Sequence, residues 1–156
     1  GLVPLAAHLF IFYFGMMSMV TPPVALAAYT AAAIAESGIM ATGFAAFRFA
    51  LVGFALPYAF VLRPELLLLA PAGFVDSFLS ILITLAGIIP LAAGIAGFGF
   101  APIPTLQRFL LVLSALTLLL TPSGTFYPQV LAFSIVLVIA ALNRNGISTE
   151  PKNGPE

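Results

Sequence analysis

Two hydroxyls beside a pair of prolines are the first residues to which chemistry can be attached. Ser18 and Thr21 bracket Met19-Val20 and run into Pro22-Pro23, within a stretch, residues 1–35, that holds no Asp, Glu, Lys or Arg. Proline lacks a backbone donor and its ring clashes with the preceding turn, so two in succession end a helix. In apolar surroundings the opened main chain has to find partners inside the protein, since lipid supplies none. A helix ending there presents free carbonyl oxygens, which together with the Ser18 and Thr21 hydroxyls suit a small cation such as Na⁺. A helix starting just beyond presents free N–H groups and the positive end of its dipole, which suit an anionic substrate group. Ser18, Val20 and Thr21 are therefore the candidate cation site, and Pro22, Pro23, Val24, Ala25 and Leu26 the candidate substrate site. Proline kinks in membrane helices are often only structural. The hydroxyls and the small alanines that follow the prolines favour the functional reading here.

The other polar residues carry less. His8 is an ionisable group in an apolar helix and by default a functional candidate, yet a neutral histidine can equally hydrogen-bond a neighbouring helix. Tyr13 and Tyr29 flank the break and read as packing. Glu36 reads as a helix end at the interface. Arg48 and Arg63 bracket an apolar segment and read as headgroup anchors, with contact between Arg48 and a substrate carboxylate as the other reading. Gly94-Ile95-Ala96-Gly97-Phe98-Gly99 has no preceding strand and no following Lys, so it reads as close helix packing or a turn rather than a phosphate loop. Met16, Met17 and Met19 face different sides and make no metal stripe. There is no Cys and a single His, which leaves no thiolate chemistry and no resident metal beyond Na⁺ as a coupling ion. No nucleophile–base pair or carboxylate dyad points to an enzyme.

The elements that position these residues follow from composition. Charged residues are 6% of the chain, five of each sign, and hydrophobic residues 62%; mean hydropathy is +1.20. Soluble proteins carry about 25% charged residues. Besides residues 1–35, residues 77–107 and 109–143 carry no charge at all, and about 20 apolar residues suffice to cross a bilayer. Lipid is the solvent, and the fold class expected is all-α: a polytopic integral membrane protein with about five embedded segments. The zero net charge and lack of a basic cluster argue against nucleic-acid binding.

Along the chain, residues 5–19 and 24–35 read as two half-helices joined by an unwound stretch at 20–23, with Pro23 placed to start the second half. Residues 39–47 could lie along the interface. Residues 49–62 are apolar but short, spanning only if Arg48 snorkels. Residues 66–75, broken by Pro71 and Gly73, read as interfacial. Residues 77–98 form a span that Pro90 should kink, and 97–104 is turn-rich. Residues 106–120 and 126–142 make a last hairpin, followed by a polar, disordered tail. Arg108, Arg144 and Lys152 flank the open side of that hairpin, which places the C-terminus in the cytoplasm. On this count Asp76 falls outside and Arg48 inside, with Arg63 on the wrong side. The start at Gly1, with no charged segment or cleavage site after it, suggests a fragment rather than a signal peptide.

The run His8-Leu9-Phe10-Ile11-Phe12-Tyr13-Phe14-Gly15-Met16-Met17-Ser18-Met19-Val20-Thr21-Pro22-Pro23-Val24-Ala25-Leu26-Ala27-Ala28-Tyr29 strongly resembles the last block of the large permease subunit of tripartite ATP-independent periplasmic (TRAP) transporters. Ala25-Leu26-Ala27-Ala28-Tyr29, then Thr42-Gly43-Phe44-Ala45-Ala46-Phe47-Arg48, Pro64-Glu65-Leu66-Leu67-Leu68 and Gln107-Arg108-Phe109-Leu110-Leu111, resemble the fused permeases of the TAXI type. The likeness is close over residues 1–68 and looser over 69–143. It implies residues 1–62 as the C-terminal part of a large permease domain, 63–143 as added transmembrane helices and 144–156 as a cytoplasmic tail. It further implies an elevator-type transporter in the bacterial inner membrane, importing organic acids (carboxylates) with the Na⁺ gradient. A periplasmic solute-binding protein would deliver the substrate, and the remaining N-terminal part of the permease would supply a matching break. With lipid around it, a structural membrane module without substrate contact is the alternative, and an integral membrane enzyme the third class.

Overall fold

The computed structural model describes residues 3–68, 73–122 and 125–146. Among them the chain is helical, with no strand beyond an isolated bridge between Phe98 and Pro102. Seven α-helices follow one another: α1 Pro4–Met17, α2 Leu26–Ile34, α3 Ile39–Ala50, α4 Leu56–Leu62, α5 Phe74–Ala96, α6 Thr105–Leu120 and α7 Phe126–Gly146. Short 3₁₀ turns occupy Ser18–Val20, Gly53–Ala55 and Pro64–Leu67. The expected interfacial run at 66–75 lies partly outside the described residues, as does most of the tail. α7 itself persists to Gly146, past the expected end at 142.

By length and composition α5 and α7 can each cross a membrane, and α3 with Gly53–Leu62 makes a third crossing if the pair, bent by 48°, is one span. That makes two to three crossings by length and composition among the described residues, beside Pro4–Val20 and α6, which are apolar but shorter. The boundary expected at Arg48 is absent, since α3 runs through it to Ala50. The bend falls just beyond, where the Gly53–Ala55 turn leads into α4 and Pro57 lies in the first turn, at which a missing N–H costs least. α5 continues uninterrupted through Pro90.

Small residues set the tightest packing. Ser77, Ser80, Thr84, Gly87, Leu91 and Gly94 are all buried along one seam of α5, alternating by three and four residues as one helix face requires. A Cβ at Gly87 would lie 2.7 Å from Cγ of Leu119, and one at Gly94 2.8 Å from Cγ2 of Val112, both on α6. Small side chains of this kind let membrane helices approach closely. Ala55, Leu91, Ala115 and Leu119 form a core that joins the bend after α3 to α5 and α6. Ile103, Leu111 and Ile139 join α6 to α7. α1 is fastened to α4 by aromatic rings, with Phe10 and Phe14 edge-on to Tyr58 at 5.2 and 5.9 Å.

The arginines correct the sequence reading. Nη2 of Arg48 donates to the carbonyls of Ile95 and Ala96 at 3.0 and 3.2 Å. Arg108 donates from Nε to Gly94 and from Nη2 to Ile95, at 3.1 and 3.2 Å. Arg63, 1% exposed, donates from Nε and Nη2 to the carbonyl of Thr121 and from Nη2 to that of Leu118. Arg48 and Arg63 are thus helix caps rather than headgroup anchors. The last carbonyls of a helix have no partner within it, and a guanidinium supplies several donors and a positive charge at the negative end of the dipole. Burial lowers the Arg63 pKa from its ordinary value, while the neighbouring Glu65 carboxylate raises it.

Candidate functional site

The main chain leaves helical geometry where the prolines predict it. α1 ends at Met17 and tightens into the Ser18–Val20 turn, and residues 21–25 form a turn before α2 starts at Leu26. The Pro22–Pro23 peptide is cis. Pro23 does not start the second helix as expected. Ala25 stands at its N-cap in the left-handed region, φ 31° and ψ 39°, so helical geometry begins only after it. The free donors at the start of α2 are accordingly those of Leu26, Ala27 and Ala28, while the Ala25 amide is bonded to the carbonyl of Thr21. No side chain caps them.

Both hydroxyls bond back onto the helix end they flank. Oγ of Ser18 donates to the carbonyl of Gly15 at 2.6 Å, and Oγ1 of Thr21 to that of Met17 at 2.7 Å. A hydroxyl whose only proton is committed to a carbonyl presents just its lone pairs, so each oxygen faces its surroundings as an acceptor. Ser18 is exposed and Thr21 half-buried.

The turn is held from behind. The N–H of Ala25 donates to the carbonyl of Thr21 at 3.0 Å, and the N–H of Tyr29 to that of Ala25 at 2.9 Å. The Tyr29 hydroxyl reaches back to the carbonyl of Pro23 at 3.1 Å. A Cβ on Gly43 of α3 would come within 2.9 Å of the Tyr29 ring and 3.5 Å of Pro22, so α3 backs the break at the one residue small enough to do so. Tyr29, read from sequence as packing, therefore also fixes the turn, and Gly43 was not singled out at all. Its signal was present in the Thr42-Gly43-Phe44 run, as a glycine inside an otherwise helical pattern.

The candidate residues separate by position. Ala25 is fully buried with its amide committed, so it shapes the turn and offers no free group. Pro23, Val24 and Leu26 are exposed, and Val20 and Pro22 half-buried, so the break is backed on one side and open on the other. His8 lies apart, its Nδ1 bonded to the carbonyl of Pro4 within the same helix. Tyr13 packs on Phe60, and Glu36 stands at the exposed end of α2.

Comparison with known proteins bears on this half of the chain. Residues 1–73 match the family model described as tripartite ATP-independent periplasmic transporter, DctM component. The match covers the break, its backing helix α3 and the bend into α4, just under half of the chain. That family is one of transporters rather than enzymes. No curated protein and no solved structure matches the chain.

Proposed function

We propose that this chain is a membrane permease component of a secondary active importer in which the turn at 21–25 is an ion and substrate site. In this reading α1, the turn and α2 form one interrupted crossing of the inner membrane. Ser18, Thr21 and carbonyls near Val20 hold Na⁺, while an organic carboxylate, delivered by a periplasmic solute-binding protein, meets the donors at Leu26. Pro22, Pro23, Val24 and Ala25 shape the contact. The open side of the break is where the remaining N-terminal part of the permease brings a second break, and the moving unit travels as an elevator. The C-terminus lies in the cytoplasm, and the added helices mark the TAXI type. The observation that carries this reading is the pair of hydroxyls, both with protons committed to carbonyls of the helix end they flank.

Residues 74–146 favour a second role, that of scaffold. α5 and α6 meet the matched region through Arg48 and Arg63, whose guanidinium donors go to helix-terminal carbonyls.

Substitution at Thr21 tests the site. In the intact permease, reconstituted with its binding protein, Thr21→Val removes one ligand oxygen at nearly constant volume. The Na⁺ concentration for half-maximal uptake should rise about tenfold, equivalent to roughly 1.4 kcal/mol, with Thr21→Ser close to wild type. Unchanged Na⁺ dependence in Thr21→Val contradicts the assignment.

A further inference from the structure

A cleft of about 720 Å³ opens between α5 and α7, away from the break. Its volume is that of a small-molecule pocket, typically about 300–1,000 Å³. α6 packs against both helices, which leaves α5 and α7 parted on the far side. The walls are apolar, with Leu79, Ile83 and Ala86 on α5 facing Val130 and Phe133 on α7. Arg63, Glu65, Asp76 and Gln129 line the same cleft and gather at one end, where α5 and α7 begin and α6 finishes. Arg63 is 1% exposed, and its Nη1 is buried with no hydrogen-bond partner among the described residues. Its other two nitrogens are spent on α6 carbonyls, so Nη1 is the part left over for a ligand.

Buried donors are nearly always satisfied, and an unused guanidinium nitrogen calls for an anionic oxygen. Glu65 and Asp76 line the same cleft with the opposite charge, so a purely anionic group would meet repulsion as well as attraction. A group that carries both charges fits, and apolar walls on long membrane helices call for acyl chains. We infer that the cleft between α5 and α7 holds a phospholipid with a primary-amine headgroup, its phosphate on Nη1 of Arg63 and its ammonium on Asp76. The acyl chains run along Ile83, Ala86 and Phe133. The lipid then acts as a structural filler that completes the α5–α7 contact.

The test uses the intact permease, extracted in detergent and stripped of lipid, with thermal unfolding and native mass spectrometry as readouts. Phosphatidylethanolamine should bind and raise the melting temperature, with an apparent affinity about tenfold above phosphatidylglycerol, the difference one charged hydrogen bond makes. Phosphatidylcholine, whose quaternary ammonium keeps the charge but cannot donate to Asp76, should fall between the two, and inorganic phosphate alone should not stabilise. Asp76→Asn, at an exposed position, should erase the preference without changing the lipid-free melting temperature. Ala86→Phe should fill the cleft and remove the stabilisation. Equal stabilisation by all three lipids, by phosphate alone, or undiminished binding in both variants would overturn the inference. So would a cleft found occupied by another helix of the assembled permease, with no phospholipid retained.

Discussion

At the residue scale, the same chemistry recurs wherever polar groups meet lipid-solvated backbone. Ser18 and Thr21 spend their protons on carbonyls one turn back, Tyr29 on Pro23, and the arginines on the ends of α5 and α6. Each side chain satisfies main-chain groups that the bilayer cannot. Arg63 shows the cost of losing one. Arg63→Met would strand the carbonyls of Leu118 and Thr121, at about 1–3 kcal/mol for each group left unpaired, and should lower the melting temperature of the detergent-extracted permease. Arg63→Lys, with fewer donors in a different geometry, should fall between; a melting temperature unchanged in Arg63→Met would show that these bonds carry no stability. Ser18, Thr21 and the prolines were legible from their types and spacing. The targets of Arg48 and Arg63 were not, because a long flexible side chain reaches whatever the tertiary fold brings near, and spacing along the chain says nothing about residues some fifty positions away.

At the element scale, the uncharged runs made α5, α6 and α7 visible, and the double proline made the end of α1 visible. The start of α2 was displaced by Ala25, whose left-handed backbone no propensity of alanine announces, since αL is a conformation alanine seldom adopts. The continuity of α3 through Arg48 was hidden because a charge in an apolar run looks like a boundary until its partner is known. The seam of α5 was present in the sequence as small residues alternating by three and four, and it makes a sharp prediction. Gly87→Ala places a methyl against Leu119, an overpacking that costs about 1–3 kcal/mol. Leu119→Ala alone should also destabilise, by leaving a cavity. Combined, the two should be less destabilising than their sum, with a coupling of about 0.5–3 kcal/mol in thermal or denaturant unfolding. Strict additivity would mean that the helices do not meet at this pair.

At the scale of the whole molecule, the chain divides its labour. The region matching the permease model, residues 1–73, carries the break, its tyrosine clasp and the glycine of α3 that backs it. Residues 74–146 carry the two longest spans, linked to the first region by guanidinium caps and a shared core of Ala55, Leu91, Ala115 and Leu119. Arg48 and Arg108 meet at one end of α5, while Arg63 and Asp76 share the cleft at the other. Hydrogen exchange in the intact protein is the sharpest check on the proposal that Na⁺ sits on the opened main chain. Exchanging choline for Na⁺ at constant ionic strength should slow amide exchange within residues 18–29 and leave α5 to α7 unchanged. Exchange in 18–29 that is indifferent to Na⁺, with any protection falling elsewhere, would contradict the account.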